Sequence, residues 1–117
     1  MNESILESIT SLLGISGMDA FNQDVLVYIN TAIAELTQMG VGPEKGFTVD
    51  EHSEWGDFID TEDPLLNPVR TYVFFKVRLT FDPPTGNVAQ ALNQQLDETR
   101  FRIYSHVDPM FKEEENE

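Results

Sequence analysis

Two secondary structures compete for residues 68–82, which read PVRTYVFFKVRLTFD. Alternate positions are apolar along the segment, and this period of two is typical of a strand. The preceding Asn67-Pro68 pair instead suits the start of a helix, and Val69, Val73 and Val77 share one helical stripe. Because an isolated strand would leave its edges unpaired, we predict a helix over 68–82 although the alternation alone favours a strand.

A rigid corner follows this segment and leads into the last predicted helix. Residues 82–86 read DPPTG, and two consecutive prolines cannot continue a helix. Beyond the corner, one helical face is formed by Val88, Leu92, Leu96 and Ile103. This spacing predicts a helix over 87–106. Glu98 and Arg102 are four residues apart on its outer side, the spacing of a weak ion pair.

Two more helices are predicted in the first third of the chain. Ser4 and Glu7 have capping-box spacing and Gly14 suits a helix end, so the first helix is placed at 4–13. Its apolar stripe is formed by Ile5, Ile9, Leu12 and Leu13. The second helix is predicted over 20–39, and Gly40 ends it. Its buried side is expected to hold Val25, Leu26, Ile29, Ala32, Ile33 and Leu36. Its exposed side is expected to hold Gln23, Asn30, Thr31, Glu35 and Gln38.

The segment between the second and third main helices, residues 41–66, is irregular and rich in acids. Residues 47–49 could form a short strand, and 55–59 could form one buried helical turn. Residues 108–117 have the composition of a disordered acidic tail. We therefore predict an all-α bundle of four to five helices over 1–107, with a long acidic loop, followed by the tail.

The charge of the chain is strongly negative and unevenly distributed. Among 117 residues there are 21 acids and seven Lys or Arg, which gives a net charge of −14. Residues 1–44 have six acids and no base, whereas 64–107 have five bases and three acids. This balance argues against sequence-specific DNA binding, because neutralising phosphates supplies much of its affinity. The absence of cysteine also excludes disulfides and cysteine–zinc sites.

A metal site in the acidic loop is the strongest alternative chemistry that the sequence offers. Its potential ligands are Asp50, Glu51, His52, Glu54 and Asp57. An EF-hand loop starting at Asp50 would need glycine at its sixth position, where Trp55 stands instead. No nucleophile context and no glycine-rich phosphate loop is present either. We therefore predict neither an enzyme nor a cofactor or metal site.

The chain has more apolar side chains than the faces of its short helices can bury. Aromatic residues interleaved with Lys76 and Arg78 suit a subunit interface better than a ligand site. Long irregular segments on a rigid scaffold commonly carry recognition, so the loop 41–60 is expected to face a partner. Our candidate interface residues are Phe47, Trp55, Phe58, Arg70, Arg78, Arg100 and Arg102. Of these, Arg78 and Arg100 are expected to meet acids of a neighbouring copy.

Several stretches resemble a known family. They are SILESITSLLG at 4–14, INTAIAELTQMGVGP at 29–43, WGDFI at 55–59 and VRTYVFFKVRLTFDPP at 69–84, with the pattern of 92–103. In these stretches the chain resembles the small head–tail connector (adaptor, or head-completion) proteins of long-tailed double-stranded-DNA phages and their prophages. The resemblance extends over nearly the whole chain apart from the acidic tail.

The resemblance implies an all-α bundle, and it supports a helix over 68–82. It also implies a structural protein of the virion, located at the head–tail junction and in the host cytoplasm before assembly. Such proteins form a homo-oligomeric ring, usually of twelve subunits, beneath the portal protein. The ring extends the channel for double-stranded DNA, which passes without sequence-specific binding, and contacts a stopper or tail-completion protein.

An alternative function follows from the charge alone: an acidic DNA mimic that inhibits a nucleic-acid-binding protein.

Overall fold

The protein is an all-α bundle in the computed structural model, which describes residues 3–107. Its helices are α1 (Ile5–Leu13), α2 (Asn22–Gln38), α3 (Trp55–Phe58), α4 (Leu66–Phe81) and α5 (Gly86–Val107). A 3₁₀ turn at Asp19–Phe21 leads into α2. The predicted fold class is confirmed, and the predicted tail at 108–117 lies outside the described residues.

The contested segment 68–82 is helical. α4 begins at Leu66, two residues before the predicted start. Asp63 holds the turn that precedes the helix, because its carbonyl and carboxylate oxygens accept from the backbone N–H groups of Leu66 (3.0 Å) and Leu65 (2.8 Å). Pro68 is tolerated in the first turn, where a backbone N–H would have no partner within the helix. α4 packs between α2 and α5. Its fully buried side chains are Val69, Tyr72, Val73 and Val77, which form one helical stripe.

The first helix has the predicted cap but a different buried face. The Ser4 hydroxyl accepts from the backbone N–H of Glu7 at 3.2 Å, and Gly14 ends the helix in the left-handed conformation with φ of 79°. Ile5 and Ile9 are buried as predicted. Leu12, however, is 55% exposed, so its predicted place in the apolar stripe is wrong. Leu6 is buried instead, because α1 contacts both α2 and α4 and the face between them carries Leu6 as well as Ile5 and Ile9.

The buried row of the second helix is as predicted. All six residues expected inside, from Val25 to Leu36, are buried. On the opposite, polar face, Asn30 and Glu35 are half-buried. Each of them makes contacts to distant segments, described below, that helical periodicity alone does not reveal.

Residues 47–49 do not form the strand that their sequence suggested. The side chain of Asn30, rather than a second strand, bonds to their backbone. The amide oxygen of Asn30 accepts from the backbone N–H of Val49 at 2.7 Å, and its amide nitrogen donates to the Val49 carbonyl at 3.0 Å. The same nitrogen donates to the Leu26 carbonyl within α2. Because Val49 is buried, this pairing supplies bonds that water cannot.

The predicted helical turn at 55–59 is confirmed and anchors the loop to α1. Trp55 is buried, its indole N–H donates to the Ser8 hydroxyl at 2.9 Å, and its backbone N–H donates to the Glu3 carbonyl at 3.0 Å. The backbone N–H of Ile5 donates in turn to the Ser53 carbonyl at 2.9 Å. The acidic loop is therefore fixed to the bundle at both its middle and its end.

The last helix packs through few residues. Leu96 and Ile103 are its buried side chains, whereas Val88, predicted on the same face, is 61% exposed. The predicted Glu98–Arg102 pair is wrong: within residues 3–107, Asp97 and Arg100 form the ion pair of this helix, at 3.6 Å. None of the described helices is both long and apolar enough to cross a membrane.

The Asn30 pairing can be tested by Asn30→Ala. Because the substitution leaves a buried N–H and a buried carbonyl of Val49 without partners, we expect the free energy of unfolding to fall by about 2 kcal/mol. Urea denaturation followed by circular dichroism measures this change. Thr31→Ala is the matched control, since Thr31 is exposed and bonds only within its own helix. Equal losses in the two variants would contradict the pairing.

Candidate functional site

Two of the three candidate aromatic residues lie inside the subunit. Trp55 and Phe58 are buried, whereas Phe47 is half-buried and packs on Phe58 with ring centroids 5.7 Å apart. The Phe58 ring occupies the place where residue 42 would carry a Cβ, so this position requires glycine. Gly42 also has a φ of 79°, a conformation that glycine adopts without strain. These aromatic residues therefore shape the loop from beneath, and Phe47 alone reaches its surface.

Three of the four candidate arginines have partners within the chain. The Arg70 guanidinium lies 5.8 Å from the Trp55 ring centroid and 3.2 Å from a Glu3 carboxylate oxygen. Arg78 donates to the Asp82 carbonyl at 2.7 Å, and its Nε lies 4.0 Å from the Asp82 carboxylate. The expected contact of Arg78 and Arg100 with a neighbouring copy remains a prediction.

Arg102 differs from the other arginines. Among the cationic side chains of residues 3–107, Arg102 and Lys45 have no carboxylate within 4 Å. Arg102 is exposed on the outer side of α5, next to Phe101. Asp97, Glu98, Phe101 and Arg102 together line a shallow depression there. This part of α5 therefore presents an aromatic ring and an unpaired cation to the surroundings.

A polar network joins α2, α4 and α5 around the Tyr72 phenol. The hydroxyl donates to one Glu35 carboxylate oxygen at 2.7 Å, while Lys76 contacts the other oxygen at 3.2 Å. Arg100 donates to the phenol oxygen at 3.3 Å, and its guanidinium lies 5.7 Å from the ring centroid. Every polar atom of Tyr72 thus has a partner, which permits the side chain to be fully buried.

The outer face of α2 and the loop segment 47–52 enclose an open groove. Its apolar lining is Leu26, Val27, Ala34, Phe47 and Val49. Asp50 and Glu51 lie at its acidic side, together with His52. The backbone N–H of His52 and then the Ser53 hydroxyl bond to the Asp50 carboxylate and lower its pKa, so this acid stays ionised at neutral pH.

No group of three or more His, Asp or Glu side chains within residues 3–107 is arranged to hold a metal ion. Sequence reasoning missed the residues that connect distant segments, namely Asn30, Glu35 and Tyr72. It also missed the exposed Val27 and Phe101. A polar residue in the middle of an amphipathic helix is a weak signal for such contacts, because most of these residues simply face water.

The fold and these surfaces define the class of protein. It is a small all-α protein, and the surface of residues 3–107 has open grooves and exposed apolar side chains. A family model described as phage connector protein matches residues 5–110, a range that includes all five helices. The chain belongs to this family of structural phage proteins. No curated protein and no solved structure gave a match.

The Tyr72 network predicts a specific loss in Tyr72→Phe. Removing the hydroxyl leaves Glu35 and Arg100 without a shared partner, so we expect the free energy of unfolding to fall by about 1 to 2 kcal/mol at neutral pH. Urea denaturation measures this loss. Tyr28→Phe is the matched control, because the Tyr28 hydroxyl has no hydrogen-bond partner among residues 3–107. A loss no larger than that of Tyr28→Phe would contradict the network.

The same network predicts a pH dependence. Burial, reinforced by the hydrogen bond to Glu35, raises the pKa of Tyr72 above its ordinary value of 10.0. Above that pH the unfolded chain loses the phenol proton first, so the unfolded state gains stability and the contribution of Tyr72 to folding declines. The difference in the free energy of unfolding between wild type and Tyr72→Phe should therefore be constant from neutral pH to about pH 10.0 and become smaller above it. If this difference in the free energy of unfolding became larger at high pH, the raised pKa of Tyr72 would be contradicted.

Proposed function

We propose that this protein is a subunit of the connector that joins the DNA-filled capsid of a phage to its tail. The subunits form a homo-oligomeric ring, of twelve copies, beneath the portal protein, and the ring extends the channel through which double-stranded DNA passes. The protein is a structural component of the virion at the head–tail junction and acts without catalysis. The match of the family to residues 5–110 is the observation that carries this proposal.

The ordered acidic loop supports a recognition role. The segment 41–60 is held to the bundle by the Asn30–Val49 pairing and by the Trp55 anchor, so the backbone around Val49 and Trp55, which carries several of its exposed side chains, has a defined place. The exposed acids of this loop are Glu44, Asp50, Glu51, Asp57 and Asp60. A fixed acidic surface suits a basic patch on a protein partner, because the loop backbone loses little conformational entropy on binding. We assign this loop to the contact with the stopper or tail-completion protein.

The charge balance supports a channel that does not retain DNA. The net charge is −14, and four of the six cations in residues 3–107 already contact carboxylates of their own chain. Few cations therefore remain to neutralise phosphates, and unpaired carboxylates repel them. Double-stranded DNA would pass such a wall without being held.

The interface residues proposed from the sequence fall into two groups, those at the surface and those that are buried. Arg102 is exposed without a carboxylate within 4 Å in residues 3–107, and Phe47 is half-buried at the surface. Arg70, Arg78 and Arg100 reach the surface with part of the guanidinium occupied. We propose direct contacts with other subunits or components for these five. Trp55 and Phe58 would act indirectly, through the shape that they give to the loop.

Deletion of the gene from its phage tests the proposed function. Without the protein, we expect capsids that have packaged DNA but carry no tails, together with free tails, because the junction is missing. Electron microscopy of lysates and mixing with purified protein measure the defect and its repair. Normal tailed particles from the deletion phage would overturn the assignment, and so would repair of the deletion by an unrelated acidic protein.

The role of the loop is tested by Glu44→Lys combined with Thr48→Lys. Both side chains are exposed, so we expect unchanged helicity and stability but a loss of tail joining, since the two lysines cancel most of the negative charge of the loop surface. Complementation of the deletion phage and counts of tailed particles measure this. Replacing the entire loop is not a clean test, because Val49, Trp55 and Phe58 belong to the core.

A matched pair of substitutions on α1 controls for the change in charge. Glu7→Lys with Ser11→Lys alters the same charge at exposed positions outside the loop, and tail joining should persist. If the loop variant also joined tails normally, the loop would not contact the tail-side component.

A further inference from the structure

The groove on α2 leaves apolar side chains uncovered. Val27 is 61% exposed at its edge, and Phe47 and Ala34 continue the apolar lining. Glu51 lies at the rim, exposed, with only a long contact of 3.5 Å to the Gln23 amide. The rim thus offers a carboxylate that no cation of the described chain neutralises. An apolar floor beside an unpaired acid is suited to an apolar side chain next to a cation.

The outer side of α5 presents such a pair. Phe101 is 60% exposed, and its neighbour Arg102 is the α5 cation that lacks a carboxylate within 4 Å in residues 3–107. On α5, Glu98 lies one helical turn before Arg102. The Gln23 side-chain amide on the rim of the groove is a hydrogen-bond donor that suits the Glu98 carboxylate of another copy. The two surfaces therefore match in both apolar and polar groups.

The distribution of charge identifies the partner as a second copy. The groove belongs to residues 1–63, which have 13 acids and one lysine, whereas α5 has two acids and two arginines and is neutral as a whole. Contact between the acidic groove of one copy and the neutral α5 of the next brings Arg102 to Glu51 and avoids the like-charge repulsion expected when the acidic parts of two subunits at −14 meet. Since the two surfaces are different patches of one subunit, the contact is heterologous and can repeat around a ring.

We propose that Phe101 and Arg102 of one copy dock into the groove formed by α2 and residues 47–52 of the next copy, where Phe101 packs on Val27 and Phe47 and Arg102 pairs with Glu51. This contact deepens the proposed function and rests on it, because it names the surfaces through which the connector subunits would join.

Cysteine cross-linking tests the contact directly, because the chain has no cysteine of its own. Heads purified from the deletion phage complemented with Val27→Cys/Phe101→Cys should, on mild oxidation, give a ladder of disulfide-linked multimers on a non-reducing gel. Val27→Cys/Val88→Cys is the matched control, since Val88 is as exposed as Val27 and also lies on α5. The control should give no ladder beyond that of wild type.

Charge exchange tests the ion pair independently. Glu51→Arg and Arg102→Glu, each built into the double-cysteine chain, should abolish the ladder, and the combination should restore it. Glu62→Arg is the control for the first change, because Glu62 is exposed outside the groove, and the ladder should persist. Loss of the ladder that the combined exchange does not restore would overturn the Glu51–Arg102 pair.

The outcomes separate this contact from the function on which it rests. If the protein is present in heads but the ladder is absent, or equals that of the Val88→Cys control, the contact is wrong and the connector function stands. If the protein is absent from heads and tails join without it, the connector function fails and the contact falls with it.

Discussion

Burial of one stripe of α4 between α2 and α5 is the constraint on which the rest of the structure depends. The stripe includes Tyr72, and its phenol enters the core only because Glu35 from α2 and Arg100 from α5 satisfy it. The hydrogen bonds thereby fix how the three long helices meet. An apolar residue at this place would pack equally deeply but would not specify the register of α2 and α5 on α4.

The loop between α2 and α4 shows how a long irregular segment can be rigid. One asparagine supplies both hydrogen bonds that a neighbouring strand would have given to Val49, and one tryptophan closes the loop on α1. Its buried residues belong to the core, so its exposed acids are displayed on a firm base. For a protein that joins larger assemblies, such a base reduces the entropy lost when a partner binds.

The cations of α4 and α5 are used in two ways. Arg70, Lys76, Arg78 and Arg100 are held by acids or carbonyl groups of the same subunit, where they offset part of the negative field. Arg102 is left on the surface of α5 next to Phe101. A strongly acidic subunit with one such exposed cation beside an aromatic ring has a specific place at which a second acidic surface can approach. Assembly through this place requires no change in the core.

The sequence by itself determined the elements whose signals are local. The Ser4 cap, the Gly14 terminus, the buried row of α2 and the turn at Trp55 were predictable, because caps and periodicity are fixed by residues within a few positions of each other. The family could also be identified from the sequence, as the match over 5–110 confirms. Of the candidate interface, the exposed position of Arg102 agrees with expectation, while Trp55 and Phe58 turned out to be buried.

Only the tertiary structure decided what depends on contacts between distant segments. Residues 68–82 satisfy both a strand and a helix pattern, and the helix forms because α2 and α5 bury one of its faces while no neighbouring strand is present in the described chain. Periodicity shows which residues share a face but not what covers that face. For this reason Asn30 and Glu35 looked like solvent-facing residues although they hold the loop and the core together, and Leu12 and Val88 looked buried although both are more than half exposed.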